Sequence, residues 1–142
     1  MINKKILSLI LLLIITSFSF ANIKGLQFIS DKKSVNKGEK VCFILKNNSN
    51  KTVVLPNSAP WVVISLSGKN KGKVVFAPIS TQSLQYLKPN SEKKWCWDLK
   101  DFENEYVHSG KYKIRLTVFI DKKPVFLSTT IDVKAKIVRL NP

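Results

Sequence analysis

The stretch L-K-P-N-S-E-K-K-W-C-W-D-L-K-D-F-E-N-E-Y-V-H-S-G-K-Y-K-I-R-L, Leu87 to Leu116, decides the fold class. It joins a Pro-Asn turn, a strand in which Trp95 and Trp97 flank Cys96, an acidic loop, a Ser-Gly turn and a second strand opening Lys-Tyr-Lys. Two alternating runs separated by turn residues point to a β-sandwich. Neighbours along a strand point to opposite sides, so Trp95, Trp97 and Leu99 form the core-facing set, while Lys94, Cys96 and Asp98 face outward.

The same parity applies to Glu39–Lys46, where Val41, Phe43 and Leu45 are uniformly apolar and Cys42 takes the outward set. If these two strands are the second and fifth of an immunoglobulin-like sandwich, they are neighbours in one sheet. Opposed residues in antiparallel strands lie about 4.5–5.5 Å apart at Cα, within reach of a disulfide. The expectation is a cross-strand Cys42–Cys96 bond on an outer face, a structural role, since no C-x-x-C redox spacing exists.

Working outward, Ile23–Ile29 reads as an edge strand and Asp31–Gly38 as a polar turn region. Thr52–Leu55 and Trp61–Leu66 read as strands on either side of Pro56 and Pro60, because proline lacks the ladder N–H. Ser67–Lys73 makes a hairpin tip into Val74–Phe76, and Pro78–Leu87 reads as a loop crossing the sandwich. Lys111–Ile120 is the longest clean alternation; Asp121–Pro124 turns it into a return strand, Val125–Val133. No helix is expected after the N-terminal segment. Short strands at regular turn spacing give an all-β, antiparallel two-sheet sandwich of immunoglobulin-like type, with a small closed barrel as the alternative.

The N-terminus, Met1-Ile2-Asn3-Lys4-Lys5 followed by an apolar run to Ile15 and then small Ser19 and Ala21, has the pattern of a cleavable signal peptide helix over residues 1–21. An uncleaved anchor is the competing reading, disfavoured because no cationic flank follows at bilayer length. The expected domain is 22–135 with a tail at 136–142, located in the periplasm or secreted. No stable membrane span is expected after signal cleavage. An oxidising destination agrees with one disulfide.

The 142-residue chain carries 24 Lys and Arg against 9 Asp and Glu, a formal net charge of +15 that loss of Lys4 and Lys5 would reduce by two. Such an excess attracts anionic partners. Arg115 and Arg139 are the only arginines, so the forks that grip phosphate with fixed geometry are scarce. Nucleic acid is accordingly the less favoured anion.

On the strand from Lys111, Tyr112, Ile114, Leu116, Val118 and Ile120 point inward, and Lys111, Lys113 and Arg115 outward. The return strand turns Phe126, Ser128, Thr130, Asp132 and Lys134 outward. Lys111, Lys113, Arg115 and Phe126 are therefore the candidate binding face, although charges on a solvated sheet also serve simply to discourage edge pairing. Tyr112, two residues after Gly110, is placed to form a tyrosine corner.

Enzyme constellations are missing from the sequence. One histidine, His108, excludes a three-histidine zinc site and an H-E-x-x-H motif. Ser109 beside it lacks a G-x-S-x-G elbow. Gly68, Gly72 and Gly110 stand alone, so no phosphate-binding loop and no cofactor are expected. Asp98, Asp101, Glu103 and Glu105 lack the glycine and Asp/Asn spacing of a calcium loop, and read as a hydrated connection. Trp95 and Trp97 read as core, leaving Trp61 as the surface tryptophan.

Val41-Cys42-Phe43-Ile44-Leu45-Lys46-Asn47-Asn48-Ser49, Leu87-Lys88-Pro89-Asn90-Ser91-Glu92 with Trp95-Cys96-Trp97, and Gly110-Lys111-Tyr112 together resemble the BsuPI-type proteinase inhibitor domain. The resemblance spans about Val35 to Phe119, with Asn90-Ser91 where that family usually has a glycine. It implies an immunoglobulin-like module and a protease as partner, the loop Ala77–Leu87 or the acidic connection entering the cleft. The residues themselves point to an exported, non-catalytic module meeting a protein or an anionic envelope component. A third reading is a subunit or assembly factor of a cell-envelope complex, joined by strand addition at an exposed edge.

Overall fold

Alternation decides which side each strand buries, and long-range pairing decides which short segments become strands at all. The computed structural model describes residues 25–136. The expected signal segment 1–21 and residues 137–142 lie outside them. Within them run β1 (Leu26–Ser30), β2 (Ser34–Asn36), β3 (Val41–Asn47), β4 (Val53–Leu55), β5 (Trp61–Ser65), β6 (Val74–Phe76), β7 (Gln85–Leu87), β8 (Ser91–Trp97), β9 (Gly110–Ile120) and β10 (Lys123–Lys134). One three-residue 3-10 turn, Gly68–Asn70, sits at the β5–β6 tip, where no helix was expected.

Two separate sheets form, so the chain is an all-β sandwich and not a closed barrel. The smaller is ordered β1-β3-β8. In the larger, β10 lies between β2 and β9, and the far side of β9 is shared. Its first half pairs with β5, Trp61 opposite Leu116 and Ser65 opposite Tyr112, whereas Phe119 pairs with Val54 of β4. β6 extends β5, and β7 extends β4.

Several expectations are corrected. The sandwich is not purely antiparallel, because β2 runs parallel to β10, Val35 opposite Val133. The chain leaves the smaller sheet after β1 and joins the larger one at β2. Ser34–Asn36 is thus a strand and not part of a turn, and its middle residue Val35 is buried. Gln85–Leu87, expected within a loop, is likewise a strand, because β4 offers it a ladder. Trp61 is 4% exposed and packs edge-on against Phe43 at 4.7 Å, so it is core and not surface. Its indole N–H has no acceptor among the described residues.

The core is the inner row of β3, Val41, Phe43, Leu45 and Asn47, each fully buried. Trp97 and Trp95 stand opposite Val41 and Phe43 on β8, and Trp97 meets Tyr112 of the larger sheet in an edge contact. Asn47 is the polar member of the row. Its Nδ2 donates to Lys51 O at 2.8 Å and to Leu87 O at 2.9 Å, and its Oδ1 accepts from Ser49 N and Oγ. All four hydrogen-bonding positions of the amide are thereby filled. Two further side chains join the sheets on this flank: Trp95 Nε1 donates to Ser58 O, and Lys93 Nζ to Gln85 Oε1. At Asn90, in the turn before β8, φ is 62°, the left-handed conformation that asparagine tolerates better than most residues.

Cys42 and Cys96 are directly opposed on the outer face of the smaller sheet and form the expected disulfide. Cys96 is exposed, while Cys42 is covered; its N–H donates to Asp31 Oδ1. A link spanning 54 residues stabilises by about 4 kcal/mol in the chain-entropy model.

Replacing Asn47 with leucine keeps the branched shape but leaves the Lys51 and Leu87 carbonyls without their donor. We expect a loss of about 2–4 kcal/mol in urea unfolding, against under about 0.5 kcal/mol for Asn48→Leu at the exposed neighbouring position.

Candidate functional site

The β9–β10 hairpin is set by a two-residue turn, Asp121–Lys122, in which both residues have positive φ (50° and 64°). Turns of that hand match the twist of the flanking strands. Register then runs without interruption from Lys123 opposite Ile120 to Val133 opposite Gly110. Lys111, Lys113 and Arg115 consequently lie on one outward face, opposite Asp132, Thr130 and Ser128, with Phe126 opposite Thr117. All four candidate residues share this face, and Arg115 and Phe126 meet on it. The Arg115 guanidinium sits 5.7 Å from the centre of the Phe126 ring, a cation–π contact at an exposed site. Lys111 and Arg115 are exposed and Lys113 half-buried.

Sequence reading missed the other half of this face. β5 places Val62 beside Arg115 and Ile64 beside Lys113. Tyr86, Val54, Phe119 and Pro124 form one row across β7, β4, β9 and β10. Nothing local in the sequence signals that row, because its four members come from four different strands and Tyr86 lies in a stretch that reads as a loop; only the outward parity of Phe119 was readable.

At the opposite end of β9, Tyr112 Oη donates to His108 O at 2.6 Å, the tyrosine corner that the spacing predicts. A side chain at Gly110 would collide with Ser67 Oγ, which accepts the Lys111 N–H at 3.1 Å. His108 and Ser109 border a cleft of about 490 Å³ together with Lys69 and Asn70. The hydroxyls of Ser65 and Tyr112 in that cleft donate to backbone carbonyls, and that of Ser67 accepts the Lys111 N–H.

Two of the carboxylates of the acidic connection bond its own backbone. Asp101 Oδ1 accepts from the N–H groups of Glu103 and Glu105, and Asp98 Oδ1 from that of Lys100. Among the described residues, no three His, Cys, Asp or Glu side chains gather to hold a metal ion. No helix among them is long and apolar enough to cross a membrane.

No protein-family model matches the chain, and no curated protein does. Among solved structures, it is similar to the Pseudomonas fluorescens alkylpurine DNA glycosylase AlkC bound to DNA containing an abasic site analog, at 10% identity and a TM-score of 0.48, over 78% of this chain and 31% of that one. A β-glucosidase from Listeria innocua in complex with glucose matches at 13% identity and 0.38, over 80% and 16%. The ASH/PapD-like domain of human CEP192 matches at 16% identity and 0.38, over 81% and 89%. The chain thus spans less than a third of each of the two enzymes, and at these scores the likeness carries no functional weight.

Burial pushes the Tyr112 phenol above its ordinary value of 10.0, and the Asp101 carboxylate adds to the shift. A raised folded-state value stabilises fully below the unfolded value near 10 and is lost as pH rises through the folded value. Tyr112→Phe should lower stability by about 1 kcal/mol at pH 7. That deficit should shrink as the pH is taken above about 10, measured by denaturant titration of both proteins.

Proposed function

We propose that this chain is an exported, non-catalytic immunoglobulin-like binding module of the periplasm or cell exterior. It meets an anionic or protein partner at the envelope through Lys111, Lys113, Arg115 and Phe126. The observation that carries this reading is their convergence on one outward face, with Arg115 over Phe126. Supporting the fold assignment, β1, β3 and β8 follow an A-B-E order, β10, β9 and β5 follow G-F-C, and Tyr112 forms its corner at the start of the F-equivalent strand. The disulfide suits an oxidising compartment.

Retention on heparin tests the reading. Binding should weaken steeply as salt rises, since each neutralised phosphate or sulfate releases counterions. The Lys111→Glu/Lys113→Glu/Arg115→Glu variant should lose it, and unchanged retention in that variant would overturn the assignment.

A BsuPI-type proteinase inhibitor is the second reading, and one observation favours it. Ile79 is fully exposed on the β6–β7 connection, which is braced where Thr81 N donates to Ser58 Oγ at 2.9 Å and Ser58 N to Thr81 O at 3.3 Å. A fixed loop that projects an unsupported apolar side chain is preorganised for a cleft. On this reading the domain slows subtilisin-like proteases at micromolar concentration and Ile79→Gly abolishes the effect; a panel without inhibition removes it.

A further inference from the structure

An antiparallel sheet with one solvated face normally shows polar side chains on it. The larger sheet does so only in part. Beside Ser128, Thr130 and Asp132, its outward positions include the Tyr86–Val54–Phe119–Pro124 row, then Phe126 on β10, Val62 alongside Arg115, and Val74 on β6, while Ile64 between Lys113 and Val74 is covered. Tyr86 is 64% exposed, Phe126 62% and Val74 43%. Leu84, two residues before Tyr86, is exposed as well.

Cations surround these apolar groups. Lys111, Lys113 and Arg115 run along β9, Lys134 stands exposed at the far end of β10, and Lys122 at the hairpin turn. Asp132 faces the same way opposite Lys111, and Asp121 at the turn is already paired with Lys51.

The charge selects the occupant. A second copy of a chain with a formal charge of +15 would bring like charges together, so charge opposes self-association through this face. The single arginine among five cations matters too. Protein interfaces are enriched in arginine and depleted in lysine, whereas lysine is a hydrated point charge suited to a diffuse field of phosphates. Tyrosine and phenylalanine beside lysines on a flat surface form the composition that rests in a lipid headgroup layer.

Deepening the reading of this face given above, we propose that the outer surface of the larger sheet docks on an anionic phospholipid surface. Tyr86, Phe119 and Phe126 lie at headgroup depth and the cations sit against the phosphates.

Flotation of the purified protein with phosphatidylglycerol-containing vesicles, against phosphatidylcholine alone, tests this. Binding is expected only to the former. Tyr86→Ser/Phe126→Ser should weaken it about tenfold, Lys111→Gln/Lys113→Gln/Arg115→Gln about 100-fold, and Ile29→Ser on the other sheet not at all. Should the aromatic double variant fail to fold, Phe126→Ser alone, at an exposed position outside the core, gives the same readout. Wild-type vesicle binding by the aromatic variant overturns the proposal. Retention on heparin without vesicle binding overturns it and leaves the anionic-partner function standing; loss of both removes both. Binding to polyglutamate but not to vesicles assigns the face to an acidic protein instead, again overturning it.

Discussion

One buried amide sets the terms for the rest of the sandwich. Asn47 ends the inner row of β3, a place where the three preceding inward residues are all hydrocarbon, and it is as deeply buried as they are. An amide there is costly unless every donor and acceptor is met, and its partners fix three things at once. Ser49 shapes the exit turn, the Lys51 carbonyl sets the approach to β4, and the Leu87 carbonyl ties β7 of the opposite sheet to β3. The backbone of Asn90 returns a bond to Asn47 O, so the turn into β8 hangs on the same residue. Apolar packing holds the sheets together; this amide fixes how they are set against one another.

The two faces of the larger sheet do different work because of it. Once β7 is held over β4, the inward side closes on Val53, Leu55 and Leu87, and the outward side is left with Val54 and Tyr86 in line with Phe119. The cationic run from Lys111 then borders an aromatic area rather than a polar one. The hairpin turn at Asp121–Lys122 keeps the two strands in one register throughout, which is why Arg115 meets Phe126.

Much of this was legible from local pattern. Period-two parity placed Trp95 and Trp97 inside, turned both cysteines to one outer face and aligned Lys111, Lys113 and Arg115, and the spacing from Gly110 placed the Tyr112 corner. What parity could not supply is pairing partners. β2 and β7 are three residues each, too short to show alternation, and they are strands because β10 and β4 offer them ladders. Trp61 looked superficial beside Pro60, yet β5 docks on the middle of β9 and carries it under Phe43. The aromatic row was invisible for the same reason: it exists only across strands, and no one strand contains two of its members.

Lys93 has a consequence for the folded protein in company. It occupies an inward position on β8, the edge strand of the smaller sheet, and reaches across to Gln85. A strand adding to that edge would trap this ammonium between two closing layers and strip it of the water it still touches, a cost that edge strands commonly exploit. The smaller sheet is therefore self-limiting along β8. At the concentrations of a crowded compartment the chain resists growing by backbone pairing on that side, and association there falls to side-chain surfaces, which is unfavourable ground for an assembly factor built on strand exchange at β8.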